Sequence, residues 1–159
     1  MIAGITGHRE LQNIEWVKAT MKQLISEIEI TYGVTCLATG ADELFAELLR
    51  QENISYTAVI PCVNYETTFE KMELEKFVLS KSKASKLIEL NNENPSEKAF
   101  DEAGNIVVDN SEILIAIWNG QEAKGLGGTA DIVEYAKSKN KQIIHINPIT
   151  KTKININHG

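Results

Sequence analysis

The sequence predicts an α/β protein with a Rossmann-like, doubly wound, mostly parallel sheet and helices on both faces. Three observations predict it. Apolar, β-rich runs alternate with amphipathic helical patterns along nearly the whole chain, the order that builds successive β–α units. The strand-like runs are apolar throughout rather than alternating, as strands covered on both faces must be. Right-handed crossovers then leave few topologies, of which the doubly wound sheet is the simplest.

The first strand is expected over Ile2–Thr6 and is followed by the turn Gly7-His8-Arg9. A helix from Asn13 to Tyr32 carries Ile14, Val17, Met21, Leu24, Ile25 and Ile28 on one face, and Gly33 ends it. Val34–Ala38 reads as the second strand. The turn Thr39-Gly40-Ala41-Asp42 leads into a helix to Glu52 whose inward stripe is Leu44, Phe45, Leu48 and Leu49. Ile54–Ile60 is the third strand, stopped by Pro61. Asn64–Phe69 then opens a charged helix to Lys81, with Phe69, Met72 and Phe77 expected to face inward. Lys86–Leu90 is the fourth strand, followed by the polar loop Asn91–Pro95. Ser96 caps a helix through Asp109, and Gly104 within it marks either a helix break or a close approach of ligand to backbone. Glu112–Trp118 is the fifth strand, Thr129–Ser138 its helix, and Gln142–Ile146 the sixth strand, closed by Asn147-Pro148. Residues 1–148 form one domain, and 149–159 are a tail or a short edge strand, with isoleucines at 154 and 156.

A chain of 159 residues, 43% hydrophobic and 24% charged, is long enough to bury one real core. Its net charge of -6 and the lack of a basic run argue against a nucleic-acid partner. No apolar stretch approaches the ~18 residues of a membrane span, and no signal peptide is visible, so a cytoplasmic protein is expected. Cys36 and Cys62 lie in or just after buried strands and read as core residues rather than a disulfide. No cysteine or histidine spacing suits a metal, and no cofactor is implied.

In doubly wound sheets a ligand sits beyond the carboxyl ends of the strands, where the winding reverses. The turns expected at that edge carry the candidate binding residues. After strand one come Thr6, Gly7, His8 and Arg9; Arg9 is either a clamp for a phosphate or an exposed partner of Glu10. After strand two come Thr39, Gly40 and Asp42, the last either an acceptor for a ribose diol or a helix cap. Pro61 and Tyr65 stand after strand three, where Tyr65 or Phe69 either stacks on a nucleobase or packs under the charged helix. After strand five come Trp118, Asn119 and Gly120, then Gly127, Gly128 and Thr129 at a helix N-terminus. The free N–H groups and positive dipole end of such a helix suit a phosphate, and glycine lets it approach. No dinucleotide fingerprint, Walker lysine or nucleophile elbow is present, which disfavours dehydrogenase, P-loop NTPase and serine hydrolase readings.

Taken together, Gly4-Ile5-Thr6-Gly7-His8-Arg9, Ala38-Thr39-Gly40-Ala41-Asp42, Val59-Ile60-Pro61, Val108-Asp109-Asn110-Ser111-Glu112 and Gly127-Gly128-Thr129 resemble the SLOG superfamily, which joins the DprA/Smf proteins with the LOG proteins. The resemblance implies a Rossmann-like fold, a nucleotide or nucleotide-derived ligand, and a homodimer. It carries Gly127, Gly128 and Thr129 onto a phosphate-binding turn. LOG enzymes split the N-glycosidic bond of nucleoside 5′-monophosphates with an arginine and a glutamate. Here Ile132 stands at the glutamate position and Phe100–Asp109 offers no arginine, so no catalytic residue is assigned. The leading expectation is therefore ligand binding. The alternatives are a hydrolase with a rearranged acid (Asp42, Glu43 or Glu134) and an interaction module with a vestigial pocket.

Overall fold

The computed structural model describes residues 1–122 and 128–156. Seven strands form one sheet in the order β4-β3-β2-β1-β5-β6-β7. They are β1 (Ile2–Gly7), β2 (Tyr32–Thr35), β3 (Ser55–Ile60), β4 (Lys86–Glu89), β5 (Ile113–Ile117), β6 (Gln142–Asn147) and β7 (Thr152–Ile156). Every pairing is parallel except β6 with β7. The α-helices are α1 (Ile14–Glu27), α2 (Ala41–Gln51), α3 (Lys71–Lys83), α4 (Glu97–Asp109) and α5 (Thr129–Ser138), and a short 3-10 turn spans Tyr65–Thr68. The fold class is the one the sequence predicts. The winding reverses between β1 and β5, which lie side by side with Gly7 opposite Ile117.

Two apolar clusters lie on opposite faces of the sheet. One is built from α1, α2 and α3 side chains such as Val17, Leu24, Phe45, Leu49 and Phe77. The other takes Ala103 and Val107 from α4 and Ile132, Val133 and Ala136 from α5. The strand residues of β5, Ile113 to Ile117, are buried without exception and feed both clusters in turn.

Three local expectations are corrected. The first helix stops at Glu27, not Tyr32, and Gly33 lies inside β2. The stop is a left-handed residue, Glu29 (φ 53), flanked by N–H bonds from Ile30 to Ile25 O and from Glu29 to Ser26 O. This is the Schellman pattern, made here without the glycine that signals it. Asn53 and Asn140 end α2 and α5 in the same way. Met72, expected inward, is 70% exposed, because the buried side of α3 is occupied by Phe77 and Ser80. Trp118 follows β5 rather than ending it. The chain after Pro148 forms β7, with Thr152 opposite Asn147 and Ile156 opposite Ile143.

Candidate functional site

Beyond the carboxyl ends of β1, β2 and β5 lies a cavity of about 780 Å³, within the size range of small-ligand sites. Its walls include Thr6, Gly7, His8 and Arg9 after β1, Asp42 on α2, Pro61 and Tyr65 after β3, Trp118 and Asn119 after β5, and Gly128 and Thr129 at the start of α5. Thr39 and Gly40 line a second, smaller cavity of about 220 Å³ between α1, α2 and α3. Arg9 borders both. Gly120 lines neither; it turns the chain at φ 84 beside His145. Gly127 lies outside the described residues.

The turns are fastened to one another by backbone. His8 N–H donates to Ile117 O at 3.0 Å, and Ala41 N–H donates to His8 O at 3.1 Å. Gly40 (φ 93) sits where this contact is tightest: a Cβ there would run into the carbonyl oxygens of His8 and Arg9. A left-handed backbone packed against two carbonyls admits glycine alone. The imidazole of His8 reaches the other way, its Nε2 accepting from Asn119 N–H at 3.0 Å. That histidine is thus a positioning group for the turn after β5. Trp118 is committed to the same turn, its Nε1–H donating to Gln121 O at 2.8 Å and its ring lying 5.0 Å from that of His145.

At the α5 end, Gly128 occupies the cap position and, among the described residues, no side chain caps the helix. Gly128 O accepts from Asp131 and Ile132 N–H. Gly128, Thr129 and Ala130 line the cavity, which places the positive end of the α5 dipole at its wall.

On the opposite wall, Asp42 is buried at 7% exposure. Its Oδ2 accepts from Ala38 N–H at 3.3 Å, so the side chain bonds backwards along the chain and the cap position belongs to Gly40. Burial pushes its carboxyl up to about 7, against the lowering pull of the Ala38 N–H and of the Arg9 charge. Near neutral pH it exchanges between a group that donates a hydrogen bond and one that only accepts. Burial and the Asp42 charge push the adjacent Cys36 thiol well above its ordinary value, which keeps it protonated and unreactive. Tyr65 is 2% exposed and donates to Cys36 O at 3.1 Å. Its ring meets Phe69 and Phe77 edge-on at 5.1 and 5.3 Å. The packing alternative for Tyr65 is the one realised.

Sequence reasoning missed Glu97 and Phe100 on the α4 wall, which Gly104 also lines. The available signal was topological: a helix that follows a strand of this sheet starts at the same edge, so its first turns belong to the site. Phe100 is half-buried, and the Arg9 guanidinium lies 5.6 Å from its ring centroid. Among the described residues Arg9 makes no ion pair. Gly104 neither breaks α4 nor leaves open space. A Cβ there would collide with the Ile132 side chain, with Cγ1 at 2.8 Å, so the glycine lets α4 and α5 pack closely. Ile132 itself is 2% exposed on the cavity wall. Glu134 points to solvent, paired with Lys137 at 3.2 Å.

No family model matches this sequence, and no curated protein matches it. Solved structures do. The chain superposes on DNA processing protein A from Helicobacter pylori, described as binding single-stranded DNA, with a TM-score of 0.69 at 13% identity. The match covers 91% of this chain and 64% of that one. For DNA processing protein A from Streptococcus pneumoniae the TM-score is 0.65 at 16% identity, over 90% of this chain and 49% of that one. For a molybdenum cofactor binding protein from Rippkaea orientalis it is 0.57 at 16%, over 92% and 76%. The Rossmann-like fold is the one these solved structures share. This chain thus spans less than two thirds of either DNA processing protein. The likeness to the DNA processing proteins also corrects the expectation that nucleic acid is an unlikely partner. The same fold occurs in a protein that binds single-stranded DNA, and a net charge of -6 sums a whole surface while a strand meets only one patch of it.

Proposed function

We propose that the cavity binds a nucleotide or nucleotide-derived ligand. The first turn of α5 from Gly128 holds a phosphate, and Asp42 meets a sugar hydroxyl on the facing wall. The observation that carries this reading is the pairing of an uncapped helix N-terminus with a buried carboxyl across one cavity at the β1/β5 switch point. Phosphate and carboxylate repel, so their placement on opposite walls suits a ligand with an anionic end and a hydroxyl-bearing middle. Calorimetric titration with nucleoside monophosphates, ADP-ribose derivatives, cyclic nucleotides and a short single-stranded oligonucleotide tests it. Silence across the panel at high protein concentration would sink it.

A second reading is favoured by one observation, the Asp42 carboxyl at about 7, a value suited to general acid–base work at neutral pH. In that reading the cavity hydrolyses the N-glycosidic bond of a bound nucleoside monophosphate. Of the three acids considered, Asp42 alone lines the main cavity; Glu43 lies on the second cavity and Glu134 in solvent. Chromatography should then show free base released by the wild type and by Glu134→Gln, and none by Asp42→Asn. No release by the wild type rules hydrolysis out. Two free thiols, Cys36 and Cys62, suit the reducing cytoplasm in which we place the protein.

A further inference from the structure

We infer that Phe100 and Arg9 form the two sides of a slot for a nucleobase, with Arg9 acting as a stacking partner rather than a phosphate clamp. The inference rests on the nucleotide reading and says where the base goes. Four aromatic rings stand at or near the cavity, and three are already committed. Tyr65 is buried with its hydroxyl on Cys36 O. Phe69 is stacked on Phe77 at 4.6 Å and 18°. Trp118 is tied to Gln121 and faces His145. Phe100 is left. It lines the cavity and is partly buried, packed against the edge of the core. On one side it leans on Tyr65, centroid to centroid at 6.3 Å and 55°. The Arg9 guanidinium lies 5.6 Å from its ring centroid.

An exposed cation over a ring is a weak contact, and among the described residues Arg9 makes no direct ion pair, its charge acting on the Asp42 carboxyl from a distance. The guanidinium can therefore lift by the thickness of a ring without breaking an ion pair. A base entering there gains a phenyl face below and a guanidinium plane above, the two surfaces on which splayed bases stack. The phosphate stays at the α5 end, which needs no side-chain cation to attract it. Arg9 also borders both cavities. Such a slot selects for a flat heterocycle and tolerates its identity, because every base has a face to offer.

Titrate AMP, ribose 5-phosphate and a short oligothymidylate into the wild type, Phe100→Leu and Phe100→Tyr, with matched thermal midpoints as the folding control. Leucine keeps the apolar bulk and removes the ring; tyrosine keeps both. Phe100→Leu should weaken base-bearing ligands by roughly tenfold or more while leaving ribose 5-phosphate within about twofold, and Phe100→Tyr should restore the wild-type value. A loss seen with AMP identifies a free nucleotide as the source of the base, and one confined to oligothymidylate identifies a strand; either supports the slot. Equal loss for AMP and ribose 5-phosphate, or no loss with any ligand, overturns the slot while leaving the nucleotide reading intact. If the wild type binds none of the three, the reading and the slot fall together.

Discussion

Asp42 and Glu43 are neighbours in the first turn of α2, both buried, both with carboxyls raised by burial. They nevertheless belong to different parts of the molecule. Glu43 is tied down: its Oε1 accepts from Ser80 at 2.5 Å and lies 3.9 Å from Arg50 Nη2. Arg50 in turn donates to Ser80 Oγ at 2.7 Å and Tyr56 OH at 3.1 Å, and Tyr56 donates to Ser80 O at 2.6 Å. This knot fastens α2 to β3 and α3. Asp42 is held by backbone alone, by Ala38 N–H at 3.3 Å and by the backbone at Cys36, and lines a cavity. Burial is the same and purpose is not: Glu43 ties two helices and a strand together through Oε1 while its buried Oε2 finds no partner, whereas Asp42 joins no other side chain and stands on the wall of the main cavity.

The sharpest way to break this contrast is to delete each acid. Glu43→Ala should cost about 2–3 kcal/mol in urea unfolding, by stranding Ser80 and Arg50, at the low end for a buried pair because Arg50 keeps two other acceptors. Ligand affinity in the main cavity should not change. Glu43→Gln, which keeps the size and loses the buried charge, should cost far less.

For Asp42 the effect depends on pH, and its sign follows from the raised carboxyl. Below the ordinary carboxylate range both folded and unfolded chains hold the proton, and nothing is lost. As pH rises from there to about 7, the unfolded chain ionises freely while the folded one resists, so stability falls across that window. Asp42→Asn should thus gain stability relative to the wild type, on the order of a few kcal/mol at pH 8 and little at pH 4. A difference independent of pH would show that the carboxyl is not strained by burial.

Smaller effects probe the walls. Gly104→Ala, which pushes a methyl into the flexible end of Ile132, should cost about 1–2 kcal/mol in thermal unfolding and leave α4 intact by circular dichroism. Tyr65→Phe removes only the bond to Cys36 O and should cost about 1 kcal/mol, with no selective loss of base-bearing ligands. A selective loss would return the stacking role to Tyr65.

Much of this was legible in the sequence because apolar strands and amphipathic helices leave different periods. Strand order follows from right-handed crossovers, and Asp42, Arg9 and Gly128 could be placed at one edge by topology alone. Side-of-loop was not legible. After β2 the chain keeps alternating, so Cys36 and Ala38 face the main cavity while Leu37 and Thr39 face the second one. Assigning the whole turn to one site therefore misplaced Thr39 and Gly40. The aromatic rings were also confused, because stacking and packing use the same residues; only burial separates Tyr65 from Phe100. The role of Gly104 was hidden for a related reason, since its partner Ile132 is distant in sequence.

Glu29, Asn53 and Asn140 each adopt a left-handed backbone (φ 53, 57 and 57) that glycine occupies with less strain. All three lie at the opposite edge of the sheet from the cavity, since they precede β2, β3 and β6. The protein can therefore be made hardier at positions that have no part in ligand contact, and a laboratory wishing to weaken the site by mutation can first strengthen the scaffold there.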